Sequence, residues 1–123
     1  MLCYGSKPFL ECSTVGDTRF SPFFARIKSR GNQTIEEIYQ GAKILEDGRT
    51  NLHWRQAKGK KVINYKEVSE LYSTLWDEYI DENPHLIDVL LKYEGLCDQF
   101  GNKGSPCQVT ELWRIRNANI MFA

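Results

Sequence analysis

Apolar residues recur every three to four positions in two long stretches of this chain, and that period predicts helices. In the first, Ile35, Ile38, Tyr39, Ala42 and Leu45 form one stripe, while Glu36, Gln40 and Lys43 line up on another face. Thr34 stands three residues before Glu37, the spacing at which each side chain satisfies an unpaired amide at a helix start. The expected helix runs over 34–46 and ends at Asp47–Gly48. In the second stretch Val68, Leu71, Tyr72, Leu75 and Tyr79 share a face with Trp76 beside it, and Asn64 and Glu67 repeat the capping spacing, so a helix is expected over 65–82. Asn83–Pro84 restarts a helix over 84–93, with Leu86, Val89 and Leu90 inward and Gly95 as its stop. The ending CQVTELWRIRN predicts an amphipathic helix or strand over 108–117, with Val109, Leu112 and Trp113 inward.

The first third reads differently. CYGSK and FLECST are short β-type runs separated by Gly5 and Pro8, and FSPFFARI (Phe20–Ile27) is the strongest strand candidate. Pro22 makes it an edge strand or moves its start to Phe23. Gly31–Asn32 then turns the chain. The expected fold class is α+β: a small N-terminal antiparallel β-sheet from residues 2–30 packed with C-terminal helices, in a single domain over 1–123. A chain of 123 residues supports one core.

Charge changes this picture, because a net charge of zero hides strong segregation. Residues 1–66 hold twelve Lys/Arg against six Asp/Glu, residues 67–98 hold one against nine, and residues 99–123 hold three against one. The run DGRTNLHWRQAKGKK sets cations beside an aromatic, which suits a ligand with phosphates and a base: guanidinium forks grip phosphate oxygens and an indole stacks on a purine. The balanced total argues against polymeric nucleic acid, whose binders carry a basic excess, and favours a small phosphorylated ligand. No apolar stretch reaches the length of a membrane span, and MLCYGSKPFLEC lacks the features of a signal peptide, so a cytoplasmic location is expected.

The four cysteines, Cys3, Cys12, Cys97 and Cys107, lack C-x-x-C spacing, and His53 and His85 share no ligand spacing with them, so no metal site and no cofactor is expected. GNKGS lacks the spacing of a P-loop. Glu37 is engaged as a cap, whereas Glu36 faces the same way as Gln40 and Lys43. Phe20, Phe23 and Phe24 lie between Arg19 and Arg26 as candidate stacking platforms.

The segments RFSPFFARI, IEEIYQGAKILEDGRTNLHWRQAKGKK, LYSTLWDEYIDENP and FGNKGSPCQVTELWRIRN resemble the small phage proteins of the first Thoeris anti-defence family, over about Arg19 to Asn117. That resemblance implies a non-enzymatic sponge that sequesters glycocyclic ADP-ribose made by host TIR-domain enzymes, assembled as a dimer or a trimer of dimers. It also implies, for some members, a separate site for cyclic trinucleotides. FSPFFARI followed by EEIYQGAK is similar as well to NADAR-type domains, which act on N-glycosidic bonds of ADP-ribose-related substrates. This second resemblance implies an active site at Glu36 or Glu37 with Gln40 and Lys43, although the tryptophan–glycine segment and the histidine of that pattern are missing here.

Placed on these segments, the chemistry gives explicit expectations. Arg26, Arg55 and Arg114 grip phosphates with Arg19 nearby, Phe23 or Trp54 stacks on a base, and Gln40, Lys43 and Asn51 make polar contacts. Arg30, Lys103 and Ser105 form a second nucleotide site.

Overall fold

The computed structural model describes residues 1–102 and 106–120. The fold is α+β, with β-strands Leu2–Gly5 (β1), Phe9–Glu11 (β2), Arg26–Ile27 (β3), Gln33–Thr34 (β4) and Gly95–Asp98 (β5). The helices are Ile35–Gly41 (α1), Trp54–Ala57 (α2), Tyr65–Glu82 (α3), His85–Leu91 (α4) and Gln108–Ile120 (α5).

The main sheet is mixed, not antiparallel throughout, and its central strand comes from the far end of the chain. β5 lies between β1, antiparallel with Tyr4 opposite Leu96, and β2, parallel with Leu10 opposite Leu96. Leu2, Leu10 and Leu96 point into the core. Gly95, expected to stop a helix, instead opens this strand, because α4 already ends at Leu91 with Lys92 as its cap. A Cβ there would run into the Phe9 ring and the Ser6 carbonyl, so the close approach of β2 to β5 requires glycine at this position.

FSPFFARI is mostly turn. Phe20 closes a short 3-10 turn over Thr18–Phe20, and the Ser21 carbonyl accepts from the amides of Phe24 (3.1 Å) and Ala25 (2.9 Å). Only Arg26 and Ile27 pair as strand, with β4. Aromatic content suggests a strand here, but Ser21–Pro22 has local turn geometry, and burial of Phe20, Ala25 and Ile27 holds it in place.

α1 begins with the expected reciprocal cap: Thr34 Oγ1 accepts from the Glu37 amide at 3.1 Å, and Glu37 Oε1 accepts from the Thr34 amide at 3.2 Å. The helix stops at Gly41, five residues short of the expected end. Asn64 explains the difference. Its side chain does not cap α3; it accepts from the Ile44 amide at 2.9 Å and donates to the Ala42 carbonyl at 3.0 Å, while Leu45 bridges to Val62. These bonds hold residues 42–45 off the helical path. The basic segment contributes the short helix α2, capped by the His53 ring.

α3 forms as expected and buries Val68, Tyr72, Leu75, Trp76, Tyr79 and Ile80. Trp76, Leu75, Phe20, Ile35 and Leu112 are among the fully enclosed side chains, each worth about 1.5–3 kcal/mol relative to exposure. The β3–β4 hairpin is fastened to the end of α3. Glu82 accepts from the Lys28 and Ser29 amides (2.7 and 3.1 Å), and Arg30 makes a bidentate pair with Glu78 at 2.8 Å. The terminal element is a helix. Its buried Arg116 donates to the Tyr93 carbonyl at 3.0 Å, joining α5 to the end of α4. Among the described residues, no helix is long and apolar enough to cross a membrane.

Candidate functional site

A cavity of about 730 Å³ opens between α1, the turn 21–23, residues 58–65, Tyr72 of α3 and the start of α5. This volume lies in the range of small-molecule sites. Its position follows from the local folding just described. The Pro22 carbonyl accepts from the Glu36 amide at 3.0 Å, so the turn bearing Phe23 rests on the first residues of α1.

α1 supplies one wall. Glu36 and Gln40 are one helical turn apart, so both side chains face the cavity together with Tyr39. Both are almost fully buried, at 6% and 4% exposure. Gln40 Nε2 donates to Glu36 Oε1 at 2.8 Å. That bond fixes which way the amide points, because a carboxylate oxygen only accepts. Lys43 reaches the same wall from beyond the helix end, with its Nζ 5.1 Å from the centre of the Tyr39 ring. Burial holds the Lys43 ammonium below the usual lysine range; the Glu36 carboxylate partly offsets this and Lys58 adds to it. Tyr39 is pushed up to about 12, first by burial and then by Glu36, and burial also raises Tyr72, so both phenols remain proton donors at neutral pH.

The opposite wall comes from β5 and α5. Asp98 is buried and accepts from Gln108 Nε2 (2.8 Å) and from the Phe100 amide (2.9 Å). Gln108 also donates to the Cys12 carbonyl, and Cys107 Sγ lies 3.5 Å from Asp98 Oδ2. Asp98 thus has donors on both oxygens, which suits it to holding this wall rigid. Burial raises the Cys107 thiol to about 11 and the Cys97 thiol to about 12, and raises Cys12 further, so none of the three is a ready thiolate nucleophile.

The rim combines cations and rings. Lys58 Nζ lies 4.7 Å from the Phe23 ring centre and 5.8 Å from that of Trp54, and the two rings meet edge-on at 5.4 Å. Lys60, Tyr65 and Phe100 complete the edge, the two rings being largely exposed.

The expected site residues divide sharply. Phe23, Gln40 and Lys43 line the cavity, and Trp54 adjoins it through Phe23. Arg55 stacks on Trp54 at 5.1 Å. The other arginines are not among the lining residues and are engaged elsewhere: Arg19 with Asp17 at 2.6 Å, Arg26 with the Asn32 carbonyl at 2.9 Å, and Arg30 with Glu78. Arg114 pairs with Asp77 at 3.0 Å and Glu111 at 3.1 Å on the α3–α5 surface. Asn51 is exposed, with a left-handed φ of 56°, and its amide closes a turn onto the Gly41 carbonyl at 3.1 Å. Lys103 and Ser105 lie outside the described residues. Tyr39, Tyr72, Asp98 and Gln108 were not expected at the site, and of the rim cations Lys58 and Lys60 were visible only as part of the basic run.

No protein-family model matches the chain, and no curated protein matches it either.

Proposed function

We propose that this protein is an N-glycosidase acting on phosphorylated N-ribosides of the ADP-ribose type. One observation carries the reading: a buried carboxylate, amide and lysine, Glu36, Gln40 and Lys43, converge on a single cavity with a cationic, aromatic rim. In the reaction the bond from C1 of the ribose to the base nitrogen breaks, and water supplies the oxygen that replaces it. The Glu36 carboxylate faces the positive charge that builds on the sugar and takes a proton from the incoming water. Where the base is a purine, the Lys43 ammonium in the cavity donates a proton to it as it departs; the nicotinamide of NAD is already cationic and leaves as the neutral base without one. Lys58 and Lys60 meet the phosphates at the rim, where Phe23, Tyr65 and Phe100 offer faces to a base. Phosphorylated nucleotides are cytoplasmic metabolites, so the cytoplasm is the compartment of the proposed activity.

Sequestration of glycocyclic ADP-ribose, the function implied by the phage-protein resemblance, would use the same cavity and keep its ligand intact. It is the weaker reading here because Arg19, Arg30 and Arg114 pair with acids away from the cavity and Arg26 bonds to the Asn32 carbonyl, leaving Arg55 on Trp54 and the rim lysines for that task. The two are separated by incubating the protein with NAD, AMP, GMP and glycocyclic ADP-ribose and resolving the products by chromatography. Free base or ADP-ribose that accumulates with time supports cleavage. Unchanged compounds throughout, with tight retention of glycocyclic ADP-ribose, would replace it with sequestration.

A further inference from the structure

Gln40 presents an anomaly that the hydrolytic reading does not by itself explain. Its side chain is 4% exposed, its Nε2 is committed to Glu36, and its Oε1 is buried with no hydrogen-bond partner among the described residues. A buried acceptor without a donor is costly, and native structures satisfy nearly all such groups. The amide cannot be turned to relieve the cost, because that would set two acceptor oxygens, Gln40 Oε1 and Glu36 Oε1, against each other. Gln40 and Glu36 both line the cavity, so its wall holds a carboxylate and a buried carbonyl oxygen side by side, both accepting, and a ligand that displaces the wall enough to reach the carbonyl must bring donors to this point.

We infer that the Gln40 carbonyl accepts from the 2-hydroxyl of a ribose and makes this site selective for ribosyl over 2-deoxyribosyl ligands. The inference rests on the N-glycosidase reading, which sets Glu36 against C1 of the sugar. Gln40 lies one helical turn from Glu36 and is bonded to it, so its carbonyl stands beside the carboxylate. The sugar donor next to C1 is the hydroxyl on C2. Hydrogen bonds to that hydroxyl strengthen as the sugar approaches the oxocarbenium-like transition state, so the same contact serves both selection and rate. A site built around a hydroxyl also rejects the analogue lacking it, because the buried acceptor is then left unpaired.

The test is calorimetric titration of the full chain with ribose 5-phosphate and with 2-deoxyribose 5-phosphate, repeated with guanosine monophosphate and its 2′-deoxy form. The expected result is a preference for the ribose member of each pair of roughly tenfold or more. Gln40→Met, close in size but without the acceptor, should bring the members of each pair to within about twofold of each other. Equal affinities within both wild-type pairs overturn the inference while leaving the N-glycosidase reading standing. A preference in the sugar pair but none in the guanosine pair also overturns it, since the donors then come from the edge of the base. Failure of all four compounds to bind overturns the inference and leaves the hydrolytic reading to the turnover assay with NAD and glycocyclic ADP-ribose.

Discussion

Replacing Glu36 by glutamine separates chemistry from architecture at this site. The substitution keeps the length of the side chain and an oxygen able to accept from Gln40 Nε2, now 2.8 Å from Glu36 Oε1. It removes the negative charge and the capacity to take a proton. A positioned general base contributes about two to four decades of rate. At about 1.36 kcal/mol per decade the barrier should rise by about 2.7–5.4 kcal/mol. Stability should change little, because the shape and the hydrogen bond persist and no cation forms a salt bridge with Glu36 among the described residues. A shift in melting temperature within about 4 °C, near 1 kcal/mol, is expected. The assay is the initial rate of base release from the best substrate of the panel, with ligand affinity measured by calorimetry on the same sample. A loss of 10²–10⁴-fold in rate, as a general base implies, with affinity within about tenfold meets the expectation. A folded Glu36→Gln protein that keeps its rate within about threefold would refute the role given to Glu36.

Lys58→Ala should weaken binding of phosphorylated ligands by about tenfold in calorimetry, the lower end for a lost charge-assisted contact because Lys58 is exposed. Arg114→Ala should leave affinity within about twofold, since its half-exposed ion pairs with Asp77 and Glu111 lie on the α3–α5 surface and are individually weak. Thr34→Ala should cost about 1 kcal/mol in denaturant unfolding through loss of the α1 cap. The same cap sets a pH dependence: the Thr34 amide and hydroxyl hold Glu37 below the usual carboxylate range, so its contribution is present above the unfolded carboxylate pKa and is lost as pH falls through the lower folded value. Unfolding midpoints between pH 7 and pH 3, compared for wild type and Thr34→Ala, should draw closer at the acid end without meeting, because the Glu37 amide still donates to Thr34 Oγ1 there. For self-association, light scattering at micromolar concentration should give a mass above that of one chain, and a strict monomer would count against the assembly implied by the phage-protein resemblance.

Local signals were legible in the sequence and nonlocal ones were not. The Thr34–Glu37 cap, the buried stripe of α3 and the shared face of Glu36 and Gln40 all depend on residues within one or two helical turns, and the structure has each of them. β5 is four residues long, begins at a glycine that reads along the chain as a helix stop, and gains its meaning only by pairing with strands some ninety residues earlier. Without β5, the far wall built on Asp98 and Gln108 was invisible. Asn64 shows how a local reading is displaced: the capping spacing with Glu67 is real, but the side chain bonds across to Ala42 and Ile44, and this ends α1 early. The arginines follow the same rule. Arg30 looks free along the chain and Arg114 has only Glu111 nearby, yet the fold brings Glu78 and Asp77 to them, leaving the lysines of the basic run at the cavity edge.

If the protein is an N-glycosidase as proposed, its cavity turns the ligand over and releases products. The most direct test counts product molecules per protein molecule. Excess NAD, AMP, GMP or glycocyclic ADP-ribose is incubated with the protein, which is then denatured by heat, and the supernatant is quantified by chromatography. Catalysis predicts several equivalents of free base or ADP-ribose per chain from at least one compound, absent in the Glu36→Gln control. Recovery of every compound intact, with glycocyclic ADP-ribose released only on heating and in fixed proportion to protein, would rule out catalysis and establish sequestration in its place.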